Sequence, residues 1–546
     1  MKKIKLLSML VLLASVLSCK DQLDVKNPNQ PTTGSADSES GLINLAQGAI
    51  YVNGFLTVKY GGFYGGFFGD PFSYHDIMGD VVGVEAANQR LNEIGVANYV
   101  ILDNGTKVMN PNSPTRQLDM LRQVNINANA SDNPLYYEWA YMYSLNTGAN
   151  NVLALVDKTT FTGDAESKKN ALKAWAYWWK GYAYGRIGSL YYAGIINDQA
   201  VGTNNTFVSK EAIITESNAN YDKAAAALSA VSSVADYSAV IGKIIPAFFQ
   251  VGKGGILTPD MWKRNINSMK ARNLLVNTTV KNMTAAQWAS IIALAKDGVT
   301  ATDYVFTARS NETSDFISAT GSTPSALTTG TTKTSSFKVS ERLVQDFKTG
   351  DKRLENNFAI ETNPWIGNND RGNIFNTRYG LIDGGKGLAG VVVLGNKKVG
   401  EYEFYMATTY EETQLTLAEA LINTGDIEGG LKIIDAIRKL QGAGLAAVAG
   451  KGLTLAAAKE ELRSERRVVL PFRGLAFYDA RRWGVIDDVA TGGGRTGAVV
   501  VDKAGVVSKN ATINYNFLDY WDVPANELAY NKAGDGSVAV QNPKGL

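Results

Sequence analysis

Two reactive side chain types occur once each in the 546-residue sequence, a cysteine at position 19 and a histidine at position 75. Cys19 closes the run Val16-Leu17-Ser18-Cys19. It follows an apolar stretch from Leu6 to Leu17, itself preceded by Lys2, Lys3 and Lys5. A basic start, about twelve apolar residues and a small residue before the cut form the layout of an export signal, and the stretch is too short to span a bilayer as a helix. A thiol at that junction suits attachment of a lipid. The sequence looks like a lipobox, in which residues 1–18 are removed and Cys19 carries the lipid as the new N-terminus. The alternative is ordinary secretory cleavage beside an incidental cysteine. Acyl chains contribute about 0.8 kcal/mol per buried methylene, so two or more hold a protein firmly at a membrane.

With one histidine and no cysteine beyond Cys19, a Ser-His-Asp or Cys-His triad would have to use His75. Zinc sites built from several Cys and His have no ligands to draw on. His75 itself reads as a loop residue or a satisfied core residue. No GxxxxGK[ST] phosphate loop and no calcium-loop spacing is visible, so neither a cofactor nor a metal is expected. Carboxylate chemistry stays open, because 52 acidic residues could form a glycosidase-like pair through space.

The net charge is +2, and cleavage before Cys19 leaves 51 basic residues against 52 acidic ones. A near-neutral chain without a basic stripe has no field to hold nucleic acid. Hydrophobic residues make up 45% and charged residues 19%, an ordinary globular composition. Length alone allows two to four domains. Aromatics are abundant, with 25 Tyr and 9 Trp. Such rings suit sugar faces and interfaces, or equally serve as core filler.

These residues need a scaffold, and the hydrophobic spacing points mainly to helices. Residues 19–40, rich in Ser with Pro28, Pro31 and Gly34, read as a tether. Helical spacing is expected over 41–55, 135–156, 171–192, 221–228, 268–276, 285–296, 413–423 and 427–440. Gly425 is placed as a helix stop and Asp426 as the next N-cap, which makes a helical hairpin. No clean 34-residue period appears, so stacked hairpins would be divergent. Between them lies Tyr60, Phe63, Tyr64, Phe67, Phe68, Phe72 and Tyr74, interleaved with glycine and expected as loop. Residues 301–400 turn to Ser, Thr, Gly and Asn and predict irregular structure with a few strands.

Several segments, in order, resemble the SusD/RagB family of nutrient-binding outer membrane lipoproteins. They are Tyr143-Ser-Leu-Asn-Thr-Gly-Ala-Asn-Asn151, Ala171 to Gly188, and Arg342 to Arg353 ending in Asp351-Lys352-Arg353. Leu417-Ala-Glu-Ala420 with Gly425-Asp426 and Ile437-Arg438 follows, then Glu465-Arg466-Arg467, Gly474, Asp479 and Arg481-Arg482-Trp483-Gly484, and finally Pro524, Glu527 and Asn542-Pro543. Val469 and Arg473 stand where the family usually has Glu, and Ala476 where it often has Arg. A rearranged network of buried charges is therefore expected, with Arg481 and Arg482 in structural roles.

The resemblance implies a mainly α fold: about eight helices in tetratricopeptide-like hairpins plus an irregular, loop-rich region carrying the ligand surface. Over 41–546 the scaffold would occupy about 41–300 and 401–485, and the irregular region about 301–400 and 486–546. It further implies a non-enzymatic protein that captures oligosaccharides or peptides for a SusC-like TonB-dependent transporter. That transporter usually touches the tetratricopeptide side. Lys20 and Asp21 after the lipidated Cys19 resemble a signal for display at the cell surface. Ligand residues vary among members. The expected contacts are Tyr64, Phe68, Tyr74, Asp76 and Asp80, with Trp365 from the second region. A scaffold that binds no ligand, or a surface glycan hydrolase, are the competing readings.

Overall fold

The computed structural model describes residues 38–55, 59–60, 63–64, 70–85, 87–309, 337–367, 372–396, 398 and 400–546. Among them are sixteen α-helices, about twice the expected number, and the fold is mainly α as expected. The ten helices of eleven residues or more are α1 (Glu39–Phe55), α2 (Pro134–Val156), α3 (Ala165–Leu190), α4 (Lys210–Ser229), α5 (Val234–Ile244), α6 (Pro259–Val276), α7 (Ala285–Lys296), α8 (Tyr410–Asn423), α9 (Ile427–Leu440) and α10 (Leu455–Val469).

Each of the ten begins at a side chain that accepts a backbone N–H of its first turn. The acceptors are Ser38, Asn133, Asp164, Ser209, Ser233, Thr258, Thr284, Thr409, Asp426 and Thr454. Such a cap is worth about 1 kcal/mol. Helix α7 starts with a full capping box, in which Thr284 and Gln287 satisfy each other's backbone. Caps explain where hydrophobic spacing alone fell short. Helix α3 begins six residues before the expected Ala171 because Asp164 holds the N–H of Ser167. Helix α4 begins at Lys210, not Tyr221, because Ser209 caps a polar first half that shows no apolar period.

The helices pack in a chain of neighbours. Helix α2 lies on α3, α3 on α4, α4 on α6, α6 on α7, α7 on α8, and α8 on both α9 and α10. The α8–α9 turn has Gly425 at φ +99°, with Asp426 accepting from the Gly429 N–H at 2.9 Å. Much of the aromatic content fills this layer. Trp175, Trp178 and Trp179 of α3 meet Trp262 of α6 and Phe306, with the Trp178 and Phe306 rings 4.6 Å apart. None of the described helices is long and apolar enough to cross a membrane.

The second part is built from small antiparallel sheets. A four-stranded sheet orders Arg495–Val501, Val507–Asn514, Tyr99–Ile101 and Lys107–Met109. Separate pairs join Val82–Val84 to Phe337–Val339, Phe358–Trp365 to Thr377–Leu381, and Thr307–Arg309 to Glu403–Tyr405. Residues 82–109 thus join the sheets rather than the helical layer.

The stretch expected as loop is corrected at its end. Asp70–Met78 is a helix, and it carries Tyr74, His75 and Asp76 inward. No glycine falls between Asp70 and Met78, and Pro71 suits a first helical turn. Gly79 ends it where a Cβ would lie 2.3 Å from the Ala476 side chain, so the helix docks closely on Ala476–Arg482.

The buried charges form a network of Arg and carboxylate pairs. Glu465 accepts from Arg353 and Arg438, both at 2.7 Å, while Asp479 accepts from Arg466 at 3.0 Å and Arg482 at 2.8 Å. Arg482 also reaches Glu419. Arg481 donates to the carbonyls of Ser189, Val276 and Asp519, tying the ends of α3 and α6 to the C-terminal segment. Val469 is buried among apolar groups. Arg473 turns instead to Thr409 Oγ1 at 3.0 Å and the Tyr405 ring. Two of the three departures are thus absorbed by an apolar contact and a cation–ring contact.

Candidate functional site

Asp80, one of the expected site residues, organises the region around the Val82–Val84 strand. It follows Gly79 with φ 55°, a conformation aspartate tolerates better than most residues. Its carboxylate accepts from Arg342 Nε at 2.9 Å and Nη2 at 2.8 Å, from Ser340 Oγ at 2.7 Å, and from the Tyr515 hydroxyl. Burial alone would raise its pKa, but the Arg342, Arg495 and Arg467 guanidiniums hold the carboxyl well below the usual range. Arg467 also donates to the backbone carbonyls of Gly79 and Asp80, both at 2.8 Å, and Arg342 to those of Ile374 and Val499. One buried carboxylate thereby joins the start of the Val82–Val84 strand, the Ser340 turn, the 374–376 segment and the strand Arg495–Val501.

Above this pair the Val82–Val84 and Phe337–Val339 strands run antiparallel, with Gly83 opposite Lys338. A side chain on Gly83 would strike the Phe375 ring at 2.4 Å, so the ribbon lies directly on the segment that Arg342 anchors. Lys338 Nζ sits 4.5 Å from the centroid of the Trp365 ring. Burial lowers the Lys338 ammonium to about 8, against the opposing pull of Glu85. Behind the ring the chain turns at Gly367, whose absent Cβ would lie 2.4 Å from Trp365 Cη2 and 3.4 Å from Glu85 Oε1. Asn376 secures that turn by accepting the Gly367 N–H at 2.9 Å and donating to the Val501 carbonyl. An indole, an ammonium and a carboxylate therefore meet at one place, with Trp365 8% exposed. Lys338 is itself 1% exposed, so what the set can offer to hydroxyl groups is the ring edge and the half-buried Glu85 carboxylate.

The expected residues fall into separate places. Trp365 lies in this cluster and Asp80 beneath it. Tyr74 is buried, donating its hydroxyl to the Gln89 carbonyl at 2.9 Å, with its ring edge-on to Trp521. Asp76 is buried one turn before Asp80, and burial pushes its carboxyl well above the usual range, against a hydrogen bond from the Gly474 backbone and the charge of Arg186. Its Oδ1 has no hydrogen-bond partner among the described residues. None of Tyr74, Asp76 and Asp80 presents more than 3% of its surface. The backbone of Tyr64 pairs with Lys59 in a short hairpin, and its side chain lies outside the described residues. Phe68 and Cys19 lie outside them altogether. His75 is a core residue, with Nε2 2.9 Å from Glu138 Oε2, while Arg186 donates to Glu138 Oε1. Lys338, Glu85 and Arg342 did not stand out in the sequence as site residues. Lys338 and Glu85 lie about 250 positions apart and carry no local motif. Among the described residues no group of three or more His, Cys, Asp or Glu is placed to hold a metal ion.

Residues 288–543 match the family model described as the SusD family. No curated protein gives a significant sequence match. Among solved structures, a SusD-like protein of Bacteroides fragilis NCTC 9343 is similar at a TM-score of 0.57 and 14% identity, over 92% of this chain and 97% of that one. A SusD-like carbohydrate binding protein of the same strain gives a TM-score of 0.56 at 14% identity, over 90% and 98%. A SusD superfamily protein of Parabacteroides distasonis ATCC 8503 gives 0.55 at 12%, over 91% and 97%. The chain thus carries the SusD family's sequence pattern over residues 288–543 and shares its fold with SusD-like structures over about nine-tenths of its length.

Proposed function

We propose that this protein is a lipid-anchored binding protein of the outer membrane that captures oligosaccharides and passes them to a SusC-like TonB-dependent transporter. The observation that carries the reading is the family match, together with a fold shared with a carbohydrate-binding relative over nine-tenths of the chain. The Trp365, Lys338 and Glu85 cluster is the proposed contact with sugar, joined by Tyr64 and Phe68 from the glycine- and aromatic-rich segment. Asp80 supports it from below through Arg342 and the Ile374 carbonyl. Capture needs an aromatic edge and fixed hydrogen-bonding groups; it needs no activated nucleophile. Cys19 carries the lipid.

The test is a mild-detergent pull-down of the tagged, lipidated protein from its own outer membrane, followed by a glycan-array screen of whatever complex is recovered. Co-purification of a large β-barrel transporter and binding of a glycan without turnover is the expected result. Recovery of the protein alone under several mild detergents would remove the transporter role. Release of shortened glycan would favour a hydrolase. Peptide capture in place of glycan would redirect the ligand assignment.

A further inference from the structure

A cleft of about 420 Å³ opens in the helical layer, lined by residues of α3, α4, α6 and α7 together with Tyr520 and by none of the Trp365 cluster. Sites for small molecules commonly enclose about 300–1,000 Å³. The base of the cleft is set by α3. Gly181, Gly185 and Gly188 recur on one face of it, where a Cβ would lie 2.7 Å from the Tyr221 ring, 3.0 Å from Asn273 Oδ1 and 2.9 Å from the Lys210 carbonyl. Helices α4 and α6 therefore lie close on α3, and α7, packed on α6, completes the walls.

The charges around the cleft cancel. Lys210 is paired with Glu211 and Lys270 with Asp222, while Asp519 stands beside Lys210 and Arg481. The hydrogen-bonding groups left on the walls are of both kinds. The amides of Asn218 and Gln287 spend their oxygens on Asn273 Nδ2 and the Thr284 N–H, both at 2.9 Å, and their nitrogens donate to no group among the described residues. Asn273 spends its nitrogen on Ser217 and Asn218, and its Oδ1 accepts from no group among the described residues. The Thr215 hydroxyl donates to the Glu211 carbonyl at 3.0 Å and is left as an acceptor, and the Glu211 carboxylate is itself largely exposed. The apolar wall is short, made by Ile214, Leu274 and Leu294. The Tyr520 ring is 9% exposed and already carries Lys210 at 4.7 Å and Arg481 at 4.0 Å, so it offers no open face for stacking.

These features select by exclusion. A wholly apolar molecule would cover the amides and hydroxyls and leave them without partners. An ion of either sign meets no net field and must compete with a partner already in place. A flat aromatic molecule has no ring to lie on. A sugar hydroxyl both donates and accepts, and a pyranose ring carries a small aliphatic C–H face. We infer that this cleft is a second sugar site that takes a neutral disaccharide, its hydroxyls accepting from Asn218 and Gln287 and donating to Asn273, Thr215 and Glu211, its C–H face against Ile214, Leu274 and Leu294. The site is separate from the Trp365 cluster and stands whether or not that cluster binds sugar.

The experiment is saturation-transfer NMR on the full-length protein in a detergent without a sugar headgroup, with maltose, cellobiose and lactose as probes. All variants are compared on a Trp365→Ala background, so that loss at the cleft is read apart from loss at the proposed glycan contact. At least one disaccharide should receive saturation, and added salt should leave its affinity unaltered, as suits a neutral ligand. Leu294→Trp, which fills the cleft, should weaken it by about tenfold or more. Thr215→Trp should do the same from an exposed wall position, where the fold has little to lose. Thermal melts of each variant report folding. Digalacturonate and N-acetyl-leucine amide should not displace the probe. Absence of transfer to all three disaccharides, transfer that survives Thr215→Trp, loss of binding in high salt, or displacement by the anionic sugar or the peptide-like amide would overturn the inference.

Discussion

Asp80 and Arg342, 262 residues apart in the chain, form a buried two-pronged ion pair, with Arg342 Nε and Nη2 at 2.9 and 2.8 Å from the two carboxylate oxygens. Asp80→Asn leaves a buried guanidinium with half its partner. A loss of about 3–5 kcal/mol in denaturant melts is expected. Replacing both, as Asp80→Leu with Arg342→Met, should cost less than the single change. Because the folded carboxyl is held below its ordinary pKa, the advantage of wild type over Asp80→Asn is fully present above about pH 4 and fades as the pH falls below it.

Asp76 is the opposite case. Its carboxyl is raised by burial, so its favourable contribution is present below about pH 4 and is lost as the pH rises towards the folded value. Asp76→Asn keeps an oxygen for the Gly474 N–H and removes the ionisation. It should be more stable than wild type at pH 7–8, by roughly 1 kcal/mol or more, and no more stable near pH 4. Parallel melts at the two pH values check the sign.

The proposed sugar contact predicts that Trp365→Ala weakens glycan binding by about tenfold or more, as loss of an aromatic anchor commonly does. Trp365→Phe should retain most of it. Titration calorimetry with the glycan selected on the array distinguishes the two, and an unchanged affinity for Trp365→Ala would remove the ring from the site.

Gly425 isolates a backbone effect. Nothing lies within 4 Å of the Cβ that an alanine would add, yet φ is +99°. Gly425→Ala should therefore cost about 1–2 kcal/mol by strain alone. The loss should appear in the melting temperature, with glycan affinity unaltered.

For the anchor, Cys19→Ser should move the protein from the membrane pellet to the soluble fraction on cell fractionation. Retention in the pellet after carbonate washing would argue against lipidation at that position.

The sequence by itself carried the helical character, the α8–α9 hairpin at Gly425-Asp426 and the resemblance to the SusD/RagB family. Each of these is written in short spans: apolar spacing within a few turns, a glycine next to a capping aspartate, and ordered motifs such as Arg481-Arg482-Trp483-Gly484. The N-terminal extents of α3 and α4 were also local, encoded by Asp164 and Ser209, but in caps rather than in hydrophobic period. Placement was another matter. Tyr74, Asp76 and Asp80 sit beside a glycine- and aromatic-rich segment and suggest a surface, yet helix Asp70–Met78 turns Tyr74 and Asp76 into the core, and Asp80 just beyond it meets Arg342 there. Lys338 reaches Trp365 only because Gly83 pairs with Lys338 across more than 250 residues. Chain propensities act over a few neighbouring positions, whereas which charge meets which, and which ring stays near solvent, follows from how strands and helices distant in sequence pack together.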